Sequence, residues 1–518
     1  MKTKSKVENQ SVKPTVVAVC LFCVFLLISY WSIPALIHQE WDSIAYAYYV
    51  EYMPFELYGN HPLGHLIASS LYRVATYFGY VGRALTILQI ANIVFTSIAI
   101  AMFFVILVRR FQLCIVAAAG WSAFMGSGYS LLNNAGTADI YAVSLLFLLF
   151  ALYQMLLVLK KYSLWRASLA GVLIGLAAMA HQFNAVLLGV FIIVVFWRQD
   201  KAALLTLSIS SLCATVVGYC FLGFLVTGSL EFSDIYDWVK GYGGTPTFGR
   251  SIAFDQIGVV ANSGIQSFLV GGAPSKVMYL RDLLLVGIFL LLMVSLYRLI
   301  KNDTSNRSVY VACIVTFVLG VGLILWWDAE IWGKFWILLF PFFTILLVNS
   351  LVYGRLTQFY PIILAAGVLT VNQVNALRFQ HQPDHVFEAA LQSWIVHTNP
   401  DDVLYEANLF TGHLSYWGDR PGAVSANVLI YYGDDIEDPY KPLRQIFNDA
   451  WVQGYSVWFT DGLNEYYSDE RLSYVGASRE GLKSFLDTFR REGPVFEYRE
   501  YKDGPVKQVF RLLPPVKL

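Results

Sequence analysis

Charge is what this sequence has least of. Only 14% of its 518 residues are Asp, Glu, Lys or Arg, and 36 cations balance 36 anions to a net charge of zero. That balance gives no basis for binding nucleic acid, which calls for a basic patch or stripe. Cysteine is also scarce. Cys20, Cys23, Cys114, Cys213, Cys220 and Cys313 all sit inside or at the edges of apolar runs, so neither disulfides nor a cysteine-held metal are expected. No glycine loop of the phosphate-binding kind occurs in the polar C-terminal part, which argues against a nucleotide-using catalytic domain there.

What is abundant is apolar sequence. With 57% hydrophobic residues and a mean hydropathy of +0.55, the chain is no ordinary soluble globule. Runs long enough to cross about 30 Å of hydrocarbon are expected at 15–37, 84–108, 112–130, 140–159, 167–181, 184–197, 203–227, 280–300, 309–327, 334–353 and 358–376, about eleven spans. The first reads as an uncleaved anchor, since its core is long and no small-residue cleavage site follows. Lys2, Lys4, Lys6 and Lys13 precede it, which puts the N-terminus in the cytoplasm. Alternation then leaves Arg109/Arg110, Lys160/Lys161/Arg166, Arg198/Lys201, Arg298/Lys301/Arg307 and Arg355 on the cytoplasmic side. The segments 38–83, 131–139, 228–279, 328–333 and 377–518 are expected outside.

Two parts follow from this: a transmembrane domain over 1–379 and an extracytoplasmic α/β domain over 380–518. In the second, residues 401–405 and 455–460 read as buried strands. Leu482, Phe485, Leu486 and Phe489 mark one helical face, which Gly493 is expected to end. Residues 495–501 and 506–512 read as a hairpin around Lys502-Asp503-Gly504-Pro505. The first exported loop, 38–83, is too long for a plain connector. Tyr46, Tyr49, Val50 and Met53 form one helical face and Leu66, Ile67, Leu71 and Val74 another, so two amphipathic helices are expected on the membrane surface.

That loop carries the most informative cluster, Glu40-Trp41-Asp42 ahead of His61-Pro62-Leu63-Gly64-His65. Asp42 stands at a helix start, where a carboxylate is either an N-terminal cap or a base held beside the lipid headgroups. His61 and His65 have the spacing of a helical metal pair, but Pro62 favours His61 as a cap, and a substrate contact is preferred. Asp139, ahead of an apolar run, is either a cap or a site residue, because an unpaired charge there is costly. His181-Gln182-Phe183-Asn184 joins two short spans with polar groups that need partners, so His181 and Asn184 either line a cavity or tie helices together. Trp326, Trp327, Trp332 and Trp336 read first as an interfacial belt, with Asp328, Glu330 and Lys334 among them.

In topology and in these segments the sequence resembles the GT-C membrane glycosyltransferases, most of all the protein O-mannosyltransferase and aminoarabinose-transferase group and related multi-span proteins with a His-Pro loop. The matching stretches are Trp41-Asp42-Ser43, Asn60-His61-Pro62-Leu63, Thr137-Ala138-Asp139-Ile140-Tyr141, His181-Gln182-Phe183-Asn184, Trp326-Trp327-Asp328 and Trp332-Gly333-Lys334-Phe335-Trp336. The tail lies outside the resemblance. It implies transfer of a sugar from a polyprenyl-phosphate donor to a glycan, lipid or protein acceptor on the exported face, with inversion, in a bacterial inner (plasma) membrane. Asp42 is then the expected base, with Glu40 as the alternative. Arg83 and Lys334 are the expected cations at the donor phosphate, and Arg73, Lys240, Arg250, Lys276 and Arg281 are lesser candidates. Glu40, His61, His65, Asp139, Tyr141, His181, Asn184 and Asp328 are expected around the substrates. No cofactor is expected, and a divalent metal is the less favoured reading. A lipid-linked glycan ligase or polymerase is the nearest alternative. A transporter or flippase is more distant, since no internal repeat is evident and few ionisable residues lie in mid-span.

Overall fold

The computed structural model describes residues 13–34, 41–53, 61–196, 200–240, 256–270, 275–301, 306–327, 333–351, 354, 356–374, 385–406, 408–420, 422–425, 438–460, 477–499 and 506–514. Each expected span falls on apolar helix, but the helices differ in length. Among the described residues, five are long and apolar enough to cross a bilayer: α4 (Ala84–Arg110), α7 (Tyr141–Lys160), α10 (Lys201–Thr227), and the apolar parts of α13 (Ser275–Ile300) and α14 (Arg307–Trp327). A sixth span results if α5 (Ile115–Gly126) and α6 (Tyr129–Ala135), bent by 72° at their junction, are taken together. The remaining expected spans are shorter: α1 (Pro14–Tyr30), α8 (Leu164–Ala180), α9 (Phe183–Phe196) and α16 (Tyr360–Asn372). Residues 334–353 do not form one helix. A 3₁₀ turn at Gly333–Leu338 leads into α15 (Phe340–Val348), whose side chains are buried at eight of nine positions. Buried by neighbouring helices, that break does not expose its backbone to lipid.

Helix ends are set by local chemistry. The Asp200 side chain accepts from Ala203 N–H at 2.9 Å to start α10, and Gly228, with φ +70°, ends it in the left-handed conformation that lacks a penalty only for glycine. The segment between α1 and α4 holds the two expected helices, α2 (Trp41–Tyr52) and α3 (Pro62–Tyr77). The face α3 turns to the protein is the small and polar one, Gly64, His65 and Ser69, while Val74 is exposed. Gly64 explains the choice: a Cβ there would lie 3.0 Å from Ile140 Cγ2, so this face alone permits the close approach to the start of α7. Of the expected apolar face, Leu66 packs partly against Met179 and Leu222, Ile67 and Leu71 are half-buried, and only Val74 is exposed.

The C-terminal part is a five-stranded sheet in the order β2 (Ala423–Ser425), β1 (Val403–Glu406), β3 (Val457–Thr460), β5 (Lys507–Leu513), β4 (Arg490–Tyr498). β1 pairs in parallel with β2 and β3, and β5 is antiparallel to β3 and β4. Alternation along the strands divides two cores. Val403, Tyr405, Val457 and Phe459 pack with the helices Lys441–Val452 and Arg479–Asp487; Leu404 and Trp458 pack with the helix His385–His397. The expected helical face of Leu482, Phe485 and Leu486 is buried. Gly493 does not terminate that helix: it ends at Asp487, and Gly493 lies inside β4 with φ +120°, at a register irregularity between Glu492 and Phe496. The turn 502–505 lies outside the described residues.

Candidate active site

Three elements distant in sequence converge at one end of the helical body. The start of α2 supplies Asp42, the connection between α6 and α7 supplies Asp139, and the 3₁₀ turn after α14 supplies Lys334. The Lys334 ammonium lies 2.5 Å from Asp42 Oδ2 and 2.8 Å from Asp139 Oδ2. Side-chain exposure is 10% for Lys334, 0% for Asp139 and 23% for Asp42, so the lysine and one carboxylate are enclosed while the other carboxylate reaches the open side. Two carboxylates this close are both ionised only with a cation between them, and Lys334 is that cation. The group carries one residual negative charge.

Asp139 is fixed from several directions. Its Oδ1 accepts from Ile140 N–H at 2.7 Å, so it has a local backbone role as well as a site role. The connection on which it lies is anchored by α4: Gln89 Nε2 donates to Gly136 O at 3.0 Å, and Asn92 Nδ2 donates to Thr137 O at 2.8 Å and to Asp139 O. Ser43, next to Asp42, accepts from Ala138 N–H at 3.3 Å, which ties the two acidic segments together. Gln89 and Asn92 were not expected at the site, and Ser43 entered only as part of the Trp41-Asp42-Ser43 stretch. Gln89 and Asn92 carried a usable signal, since two amides at i and i+3 in an apolar span need partners.

Beside the ion triad is an aromatic cluster. The Lys334 ammonium is 5.9 Å from the centre of the buried Tyr141 ring. Tyr141 packs against His181 at 4.9 Å and Phe335 at 5.8 Å, and His181 stacks on His61 at 4.8 Å with 22° between planes. Tyr141, His181 and His61 thus adjoin the triad. His65 turns elsewhere, edge-on to Tyr46 at 4.6 Å, and burial pulls its imidazole down to about 3, so it is neutral. The two loop histidines therefore pack on different rings. Among the described residues no group of three or more histidine, cysteine or acidic side chains is arranged to hold a metal. A small cleft lined by Tyr46, His65, Ile67, Leu71, Asn92 and Asp139 runs along the seam of α3 and α4.

Two expected substrate contacts have other partners. Asn184 is fully buried, and its Nδ2 donates to Ser144 Oγ at 2.8 Å and Ala177 O at 3.0 Å, which ties α9 to α7 and α8. Arg83 is not grouped with Asp42. It pairs with Glu51 at 2.8 Å and Asp419 at 2.7 Å, bonds Tyr52, and lies 5.2 Å from the centre of the Tyr416 ring. Glu51 stands nine positions after Asp42 on α2, roughly 14 Å of helix rise. Arg83 therefore joins the α2–α3 segment to the C-terminal part of the chain. Glu51 Oε2 and Tyr416 Oη also accept from Ala84 and Leu85 N–H, each at 3.0 Å, satisfying donors that the start of α4 would otherwise leave open. Glu40 and Asp328 lie outside the described residues.

The sequence model of glycosyltransferase family 87 matches residues 71–325. With the fold, this decides the class. The chain is a GT-C-type membrane glycosyltransferase. Solved structures repeat the architecture at low identity. ArnT from Cupriavidus metallidurans, bound to undecaprenyl phosphate, is similar over 96% of this chain and 98% of its own, with 12% identity and a TM-score of 0.58. The oligosaccharyltransferase AglB from Archaeoglobus fulgidus, in complex with an inhibitory peptide and a dolichol-phosphate, covers 96% of this chain and 75% of its own at 10% identity, with a TM-score of 0.53. No curated protein matches the chain in sequence. The glycosyltransferase is an integral membrane protein, mostly helical, with a C-terminal sheet.

Proposed function

We propose that this glycosyltransferase moves a sugar from a polyprenyl-phosphate donor to an acceptor on the extracytoplasmic face, with inversion and with Asp42 as base. The observation that carries the reading is the Lys334 ammonium held between Asp42 and Asp139. Asp42 Oδ2 faces the lysine, while its Oδ1 has no hydrogen bond among the described residues and belongs to the more exposed carboxylate. An acceptor O–H placed there gives its proton to Oδ1 as its oxygen attacks the sugar C1. The C1–O bond to phosphate breaks, and the phosphate leaves with the electron pair. Attack opposite the leaving group inverts the anomeric carbon.

Asp139 holds Lys334, and Lys334 in turn holds Asp42 Oδ2, which leaves Oδ1 for the acceptor. No cofactor is assigned to this step, since the Lys334 ammonium already bridges the two carboxylates. The lipid phosphates in the ArnT and AglB structures support a lipid-linked donor. The cationic loops support a cytoplasmic N-terminus and exported positions for Asp42, Asp139, Asp328 and the 380–518 domain. A bacterial inner membrane is the setting that fits this donor class, and a division at 379/380 fits the change in composition.

Purified protein in proteoliposomes, given a radiolabelled polyprenyl-phosphate sugar or the matching nucleotide sugar, tests the donor class. Transfer from the lipid donor alone, with the opposite anomer in the product by NMR, is expected. Transfer from the nucleotide sugar, or retention, would overturn the reading.

A further inference from the structure

His181 connects two short apolar helices, α8 and α9, and is only 3% exposed. Its Nδ1 accepts from the Phe183 backbone N–H at 3.2 Å, so in the neutral ring the proton resides on Nε2. That Nε2–H is buried and has no acceptor among the described residues. A buried donor without a partner is unfavourable. The walls around it are aromatic: His61 and Tyr141 on its faces, Phe183 and Phe335 edge-on at 6.3 and 5.6 Å. Such walls exclude water and supply no carbonyl or carboxylate. Both the His181 ring and the Lys334 ammonium lie within 6 Å of the Tyr141 ring centre, at 4.9 and 5.9 Å. Lys334 is the charged group whose field acts on His181. An acceptor that fills this place therefore meets a neutral N–H donor within the field of Lys334, whose ammonium is shared with Asp42 and Asp139, and a hydrogen bond to an ionised oxygen is the stronger kind for such a donor.

We propose that His181 donates its Nε2–H to a phosphate oxygen of the lipid-linked donor and positions that phosphate as the leaving group, next to Lys334. The inference rests on the lipid-phosphate reading above and adds a residue to it. As a neutral donor, His181 contributes across the whole range in which it stays unprotonated, and it takes no proton during turnover. The backbone contact at Nδ1 locks the tautomer, and the stack on His61 fixes the plane of the ring.

Two substitutions separate this role from a structural one. Asn places an amide oxygen near the position of Nδ1 and keeps the contact to Phe183 N–H, but removes the donor at Nε2. Gln reaches the Nε2 position with an amide N–H and gives up the local contact. The probe is undecaprenyl phosphate without sugar, titrated into detergent-solubilised full-length protein, alongside transfer kinetics and thermal stability. The proposal expects His181→Asn to weaken undecaprenyl-phosphate binding at least about tenfold, as loss of a hydrogen bond to a charged group does, with stability near wild type. His181→Gln should bind and turn over closer to wild type despite lower stability. Equal binding by wild type and His181→Asn would overturn it. So would Asn retaining more activity than Gln, which is the pattern of a purely structural histidine. Unchanged phosphate binding with a raised KM for the sugar donor would assign the contact to the sugar and also overturn it. If wild type itself binds no undecaprenyl phosphate, the donor-class reading fails first, and that result is distinct from the others.

Discussion

Asp42 and Asp139, on separate elements of the chain, share one ammonium, that of Lys334, which lies 195 residues beyond Asp139. The pairing makes the three side chains a unit rather than three contributors. Removing the lysine leaves two neighbouring carboxylates without their cation, and removing one partner of a buried pair is destabilising by about 3–5 kcal/mol. Lys334→Met should therefore lower transfer by about 10²-fold or more and also reduce thermal stability in detergent. The double variant Asp139→Asn with Lys334→Met should recover stability relative to Lys334→Met alone, because one uncompensated charge is gone. It should remain inactive. Additive destabilisation in the double variant would mean that the two side chains do not interact.

The same arrangement predicts metal independence. Transfer activity should survive extensive treatment with EDTA, since Lys334 already occupies the place between the carboxylates where a cation would sit. Loss of activity on chelation, restored by a divalent ion, would contradict this.

Arg83 should behave differently from Lys334. Its partner Asp419 is 68% exposed, which limits the pair to about 1 kcal/mol or less. Arg83→Ala is expected to leave transfer within a few-fold of wild type while weakening the attachment of the C-terminal domain, measured by limited proteolysis. The hydrogen bond from Arg83 holds the Asp419 carboxyl below its ordinary value of 3.8. A depressed carboxyl stabilises the folded form above the unfolded value, so this contribution is complete at neutral pH. It declines as pH falls below 3.8 toward the lowered value. In Arg83→Ala that acid-dependent part should disappear.

How α3 approaches α7 can be tested at Gly64. Ala there puts a methyl 3.0 Å from Ile140 Cγ2, and Leu adds atoms for which no space exists. Gly64→Ala should be mildly impaired, and Gly64→Leu should displace the Asp139 segment and lower turnover strongly. Normal turnover in Gly64→Leu would show that the contact does not position Asp139.

Much of the site was legible in the sequence because polar residues stand out against apolar runs. Asp139 and His181 were noticeable as groups that need partners beside apolar runs, Asp42 as a carboxylate at a helix start, and Lys334 as a cation that the resemblance points to. Their mutual pairing was not legible, since Lys334 lies 292 residues from Asp42 and no local pattern links them. Arg83 shows the same limit from the other side. At a span end it looked like a phosphate ligand, yet its partner Asp419 is 336 residues away in the tail. The surface helices were legible as helices, but the face that α3 buries is set by the absence of a side chain at Gly64, which hydrophobic periodicity does not register. Long apolar runs located the helices well. They did not reveal that residues 334–353 break into a 3₁₀ turn and a buried helix, because a buried break and a continuous span have the same composition.

The central claim is that Asp42 takes the acceptor's proton, and transfer by Asp42→Asn measures it most directly. Asn keeps the shape and helix-start chemistry of Asp but accepts no proton. In proteoliposomes with a radiolabelled polyprenyl-phosphate sugar, the account predicts no transfer above background, with insertion and thermal stability close to wild type and Glu40→Gln active. Transfer by Asp42→Asn at the wild-type rate, or an inactive Glu40→Gln beside an active Asp42→Asn, would contradict it.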